Sequence, residues 1–168
     1  MYARRYSTSV SIPATAREVF ALVDDHARLA SHMSQRSWAM GGGSMAIEAD
    51  SGQGKIVGSR LRLHGVVFGL RLSVEETVVE RTPPFRKVWE TTGEPRLMVV
   101  GRYRMGFEIE ESGPASRLTV FIDYDLPSAR ARRWLGVLLG GWYARWCTER
   151  MANDAARLIS MSSARNPT

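Results

Sequence analysis

The sequence predicts an α+β fold, a curved antiparallel sheet of about seven strands wrapped around a long C-terminal helix, with two short helices after the first strand. Three observations carry this reading. Residues 45 to 126 are dominated by period-two runs separated by turn residues, the pattern of an antiparallel meander. Such a sheet has one wet face and one face that needs cover. The cover comes from the segment after Pro127, which reads as helical to about Ser160.

The elements follow in order. Residues 6 to 12, Tyr-Ser-Thr-Ser-Val-Ser-Ile, read as a strand stopped by Pro13. Thr15 with Glu18 three positions later has the form of a capping box, so a helix starts there and buries Val19, Phe20 and Val23. Asp24-Asp25-His26 ends that helix or begins a second one carrying Leu29 and Met33, and Ser34 to Ser44, with Gly41-Gly42-Gly43, is a loop. Strands are expected near 45–50, 58–66, 69–82, 85–93, 98–111 and 116–126. Four of the turns are marked by Ser51-Gly52-Gln53-Gly54, Pro83-Pro84, Gly93-Glu94-Pro95 and Ser112-Gly113-Pro114. In the clearest run Tyr103, Met105, Phe107 and Ile109 alternate with Arg102, Arg104, Glu108 and Glu110. In the C-terminal helix the adjacent Gly140 and Gly141 cost about 2 kcal/mol relative to alanine, which predicts a break or kink. Beyond it Ala144, Cys147, Thr148, Met151, Ala155 and Leu158 share one face. Small side chains there either leave volume for a ligand or let helix and sheet pack closely.

At 168 residues the chain fits one domain, expected over residues 1–162 with a frayed tail at 163–168. Its apolar fraction of 44% and charged fraction of 24% are those of an ordinary globular protein. The single cysteine, Cys147, excludes an intramolecular disulfide, and no CxxC or Cys/His cluster with zinc spacing occurs. Neither metal nor cofactor is expected. The N-terminus lacks the apolar run of a secretory signal, and the longest apolar stretch, Trp134 to Trp146, is shorter than the ~20 residues of a membrane span. A cytoplasmic location is expected. The net charge of +6 is dispersed, with one local cluster at Arg130, Arg132 and Arg133. Arg60, Arg62, Arg71, Arg102 and Arg104 are expected on the outer sheet face, paired across strands with Glu75, Glu90, Glu108 and Glu110. Nucleic-acid binding would need aromatic residues interleaved with these arginines, but alternation puts Tyr103 on the other face, so no nucleic-acid partner is expected.

Several segments carry a resemblance. They are Val10-Ser11-Ile12-Pro13-Ala14 leading to Val19-Phe20-Ala21-Leu22-Val23-Asp24, then Val57-Gly58-Ser59, and Pro83-Pro84-Phe85-Arg86-Lys87-Val88-Trp89-Glu90. With the element order, they make nearly the whole chain resemble the helix-grip superfamily (START-like, Bet v 1-like, also called SRPBCC), in its polyketide cyclase/dehydrase and lipid-transport branch. The resemblance implies a cavity between sheet and helix for a lipid, polyketide or quinone-like molecule. Some members cyclise or dehydrate polyketides and others carry ligands. No aromatic-cyclase catalytic motif maps onto this sequence, so the resemblance implies no catalytic residue.

Three groups of residues are candidates for function. The inward set of the sheet comprises Leu61, Leu63, Leu72, Val74, Trp89, Tyr103, Met105, Phe107 and Tyr124, and with Thr148, Met151 and Ala155 of the helix it is the expected ligand-binding lining. Glu76 shares the phase of Leu72 and Val74, which makes it a polar anchor in an apolar wall unless a bulge turns it to water. Tyr103 and Tyr124 suit the wall as buried hydroxyls. The second group is Asp24, Asp25, His26 and His32, with Trp38 and Met40 following. The six-residue spacing of the histidines puts them on opposite sides of a helix, which fits a helix terminus better than a metal site. The third is the stripe Leu135, Leu138, Leu139, Trp142 and Trp146 behind the basic cluster, either turned inward by the glycine break or exposed for a homodimer, a partner or a membrane surface. Three readings follow: binding or transport of a hydrophobic or amphipathic small molecule, with the first helices and the 66 to 70 hairpin gating access; a cyclase or dehydratase in which Tyr103, Tyr124 or Glu76 moves protons; and an accessory protein acting through the Trp/Leu stripe.

Overall fold

The computed structural model describes residues 2–25, 44–67 and 70–163. Strand β1 (Arg4–Ile12) leads into helix α1 (Ala16–Val23), and six strands follow: β2 (Ser44–Ala49), β3 (Arg60–Val67), β4 (Leu70–Thr82), β5 (Arg86–Arg96), β6 (Tyr103–Ser112) and β7 (Ala115–Tyr124). Helix α2 (Arg130–Ser163) completes the chain. The strands form one antiparallel sheet in the order β1-β7-β6-β5-β4-β3-β2, so the meander runs straight through and β1 docks beside β7. This is the helix-grip arrangement. His26, His32, Trp38, Met40 and the expected second short helix lie outside the described residues, as does the tail from 164.

Each element has a local cause. Helix α1 starts where the capping box puts it: the Thr15 hydroxyl accepts the Glu18 N–H and the Glu18 carboxylate accepts the Thr15 N–H at 2.9 Å. Its buried residues, Ala16, Val19, Phe20 and Val23, follow helical spacing. The β6–β7 turn needs only Gly113 and Pro114, with Gly113 at φ +63°. Asp50 ties the 50–60 connection together, accepting from the Ser59 hydroxyl at 2.6 Å and the Arg60 N–H at 2.8 Å. Trp89 and Phe20 both meet Phe107 edge to face, with ring centroids 6.5 and 5.7 Å away. Burying each such ring contributes roughly 1.5–3 kcal/mol.

The structure departs from four expectations. Gly93-Glu94-Pro95 is not a turn: it lies within β5. Four steps of β5 from Thr92 to Arg96 there oppose two steps of β4 from Glu75 to Ser73, so the turn-like tripeptide is a bulge. The true turn comes later, and β6 begins at Tyr103 rather than residue 98. Helix α2 runs unbroken through Gly140 and Gly141. Tertiary contact outweighs propensity there, because a Cβ on Gly136 would stand 2.6 Å from Pro127 Cδ and one on Gly140 would stand 3.1 Å from the Val99 carbonyl oxygen. The glycines are where the helix sits down on the chain beneath it. Leu158 faces outward at 42% exposure and Ile159 takes the inward position.

On the outer face Arg62 pairs with Glu75 at 3.7 Å, whereas Arg104 takes Glu80 at 3.8 Å and Arg102 takes Asp125 at 3.8 Å. Arg86 bridges Glu80 and Glu108.

Candidate functional site

The inner face of the sheet is a continuous apolar wall holding one carboxylate. Leu61, Leu63, Val74, Trp89, Tyr103, Met105, Phe107 and Tyr124 are buried in one cluster with Met151 and Ala155 of α2, and Leu72 packs at its margin. Glu76 belongs to this face. Bulges flank it at Ser73/Glu75 and Val78/Glu80, but between them the alternation is kept, and Glu76 is 2% exposed beside Val74 and Val78.

Tyr103, the first residue of β6, donates its hydroxyl hydrogen to the Glu76 carboxylate. Its backbone N–H donates to Thr91 Oγ1 at 3.2 Å, which fixes the start of the strand. From α2, Tyr143 and Cys147, one turn apart, stand close enough to influence each other and this pair electrostatically. Thr148 is turned to β1, where its hydroxyl shares a hydrogen bond with Thr8 Oγ1 at 3.4 Å and bonds back to the Ala144 carbonyl at 3.0 Å. It seats the helix.

The electrostatics of the cluster follow from burial. Loss of water, and then the neighbouring Glu76, push the Tyr103 hydroxyl well above its ordinary value. Cys147 and burial do the same for Tyr143. Burial pushes the Cys147 thiol up to about 12, with the neighbouring Tyr143 hydroxyl opposing. All three therefore keep their protons at neutral pH. Because the thiolate is the reactive form of cysteine, Cys147 is inert as a nucleophile here. The cluster presents hydroxyl and thiol donors and one carboxylate within an apolar wall, a set of groups that suits a carbonyl or hydroxyl on an otherwise greasy molecule.

A second buried polar group lies at the end of α1. Asp24, its C-cap residue, receives Arg81 in a two-point contact at 3.0 and 2.8 Å, and the fully buried Lys87 ammonium donates to the Asp24 carbonyl at 2.7 Å while standing 3.2 Å from its carboxylate. Burial alone raises the Asp24 carboxyl, but the Arg81 hydrogen bonds and the Lys87 charge outweigh it and hold the group below its usual range. Burial lowers Lys87, with Asp24 opposing. The arrangement pins α1 to β4 and β5. Sequence reasoning placed Asp24 beside His26 and missed both cations. The available signal was phase, since Lys87 shares the face of Trp89.

Among the described residues no three His, Cys, Asp or Glu side chains come together as a metal site. No helix there is long and apolar enough to cross a membrane. A cleft of about 340 Å³ lies at the start of α2, between Glu94, Pro95 and Leu97 on one side and Pro127, Ser128 and Arg132 on the other. It is polar-rimmed and does not include the Glu76 cluster.

The sequence pattern of the family described as polyketide cyclase / dehydrase and lipid transport matches residues 3–160. No curated relative matches by sequence. Solved structures with the same fold include a Thermus thermophilus protein at 16% identity and TM-score 0.65, covering 95% of this chain and 99% of that one. An aromatase/cyclase from a Streptomyces species has 15% identity and TM-score 0.64, covering 94% and 93%. A norcoclaurine synthase from Thalictrum has 14% identity and TM-score 0.62, covering 95% and 96%. At these identities the likeness is one of fold.

Proposed function

Because the chain belongs to the polyketide cyclase/dehydrase and lipid-transport family, we propose that it binds a hydrophobic or amphipathic small molecule between the sheet and α2, with the Glu76–Tyr103 pair anchoring the ligand's polar group. The observation that carries this reading is Glu76 itself. A carboxylate placed at 2% exposure in an apolar wall costs stability that leucine would not. A paired hydroxyl offsets part of that cost, and a ligand group would add to it. Helix α2 packs its backbone most closely on β1 and β7, while the apolar wall continues across β3 to β5. Leu61, Leu63, Val74 and Trp89 are the side chains a ligand would meet there.

The experiment is a titration with an apolar fluorescent probe such as anilinonaphthalene sulfonate. Binding of one probe per native chain is expected, with affinity reduced by Ala155→Phe, which fills the interior. Equal binding to the filled variant would remove the proposal.

A second reading has its own observation. Four ionisable side chains, Glu76, Tyr103, Tyr143 and Cys147, converge rather than one, the arrangement proton transfer in a cyclase or dehydratase would use. In that case Glu76 is the base and the Tyr103 hydroxyl the acid. Turnover of a polyketide-like chain that is lost in Glu76→Gln while probe binding persists would establish it.

A further inference from the structure

The outward face of the first half of α2 has no role in the interior. Trp134, Leu138 and Trp142 stand at i, i+4 and i+8 and are 58%, 67% and 56% exposed. Val137 and Leu139 widen the strip, and Trp146 continues it by stacking on Trp142 at 6.4 Å between centroids and 15° between planes. The opposite face is committed to the fold through Gly136 and Gly140, so rotation cannot bury this strip. Side chains of this size at these exposures form an apolar patch of roughly 500 Å², as large as the biggest patches on typical monomers, which are often functional.

The charges around the strip select its occupant. No acidic residue occurs between Asp125 and Glu149, while arginines stand at 130, 132, 133 and 145. Arg132 and Arg133 are exposed where the helix starts; Arg132 also donates to the Leu97 carbonyl at 3.2 Å, and Arg145 pairs with Glu149 at 2.9 Å. In a two-fold contact with a second copy, each arginine of this segment would face a segment with no acid to receive it. An anionic lipid surface takes both parts at once: tryptophans and leucines enter the headgroup boundary while arginines meet lipid phosphates.

We propose that residues 132 to 146 of α2 dock the protein, lying in plane, on an anionic membrane surface. This is independent of whether the interior takes a ligand. The docked face is at the sheet end where the β5–β6 connection also lies, since Gly136 and Gly140 rest on Val99 and Pro127.

The test uses the whole chain in co-sedimentation with vesicles of phosphatidylcholine alone and of phosphatidylcholine mixed with phosphatidylglycerol. Binding to the mixed vesicles, weakened by salt and accompanied by a blue shift of tryptophan emission, is expected. Leu138→Glu with Trp142→Glu should weaken it at least about tenfold. Both positions are exposed, so the fold is retained, and circular dichroism checks this. Should that variant misfold, Arg145→Gln, on the strip's own face, is the second probe, expected to weaken binding about fivefold. No vesicle binding by the native chain, equal binding to neutral and anionic vesicles, or unchanged binding in the folded variants would overturn the proposal. So would a native dimer in analytical ultracentrifugation that the Leu138/Trp142 variant converts to monomer, since the strip would then belong to a second copy.

Discussion

Alanine at Gly136 and alanine at Gly141 should move stability in opposite directions, although both replace a glycine in one continuous helix. Propensity alone favours each substitution by about 1 kcal/mol. At Gly141 nothing opposes it, because the new Cβ comes no nearer to another group than the Tyr124 hydroxyl at 4.0 Å. At Gly136 the Cβ would stand 2.6 Å from Pro127 Cδ, 2.9 Å from the Val99 carbonyl oxygen and 3.2 Å from Leu126 Cδ2. Carbon contacts settle near 3.5–4.0 Å, so the overlap is about 1 Å, and one of the groups struck is backbone that cannot swing away. Overpacking of this kind costs roughly 1–3 kcal/mol. The expected net is a gain of about 1 kcal/mol at Gly141 and a loss of up to about 2 kcal/mol at Gly136. For a chain of this length that separates the two thermal midpoints by on the order of 5 °C. Urea denaturation and calorimetry of both variants measure it. A Gly136→Ala protein as stable as Gly141→Ala would refute the claim that close contact at residues 136 to 140 holds α2 unbroken over the sheet.

Asp24→Asn should cost about 3–5 kcal/mol in urea titrations, because it removes the charge facing buried Lys87 and the two-point acceptor of Arg81. The pH sign follows from the depressed Asp24 value: its stabilisation is fully present above the unfolded carboxyl value of ~3.9 and is lost as pH falls through the lower folded one. The native chain should therefore lose more stability in that acid window than Asp24→Asn, which keeps only the acid-sensitive contributions of other lowered carboxyls such as Glu18 and Asp50. Cys147 should resist iodoacetamide at pH 8 in the native state and react readily in urea, given a thiol pushed up to about 12 by burial; fast native labelling would contradict the burial. Thr15→Ala should lower stability by about 1 kcal/mol through loss of the capping box, measurable as a shift in urea midpoint without a change in slope.

Much of the architecture was legible because two periods differ so clearly. Alternation around Tyr103, Met105, Phe107 and Ile109 fixed both the strand and its inward face, and Thr15 with Glu18 fixed the start of α1. Glu76 was legible by phase alone. What escaped were places where one residue type serves two physical purposes. Gly93-Glu94-Pro95 has the composition of a turn, but the same positive φ at Gly93 serves a bulge inside a long strand. Gly140-Gly141 reads as a break when propensity is the only term, but Gly140, with Gly136 a turn before it, is a close-packing position over Val99. Lys87 shares the inward phase of Trp89, but only the end of α1 over it supplies the Asp24 partner that a buried ammonium needs. Tyr143 escaped because its role depends on Cys147 and on Glu76 from a strand far away in sequence.

Native mass spectrometry of the chain, gently purified, tests most directly whether the interior is a binding chamber. One apolar small molecule per chain is expected, retained through mild desalting and lost more readily from Glu76→Gln and Tyr103→Phe than from the surface variant Leu138→Glu. A bare chain mass from every expression host, or an adduct that leaves all three variants equally fast, would contradict the assignment of Glu76 and Tyr103 as the ligand's polar anchor.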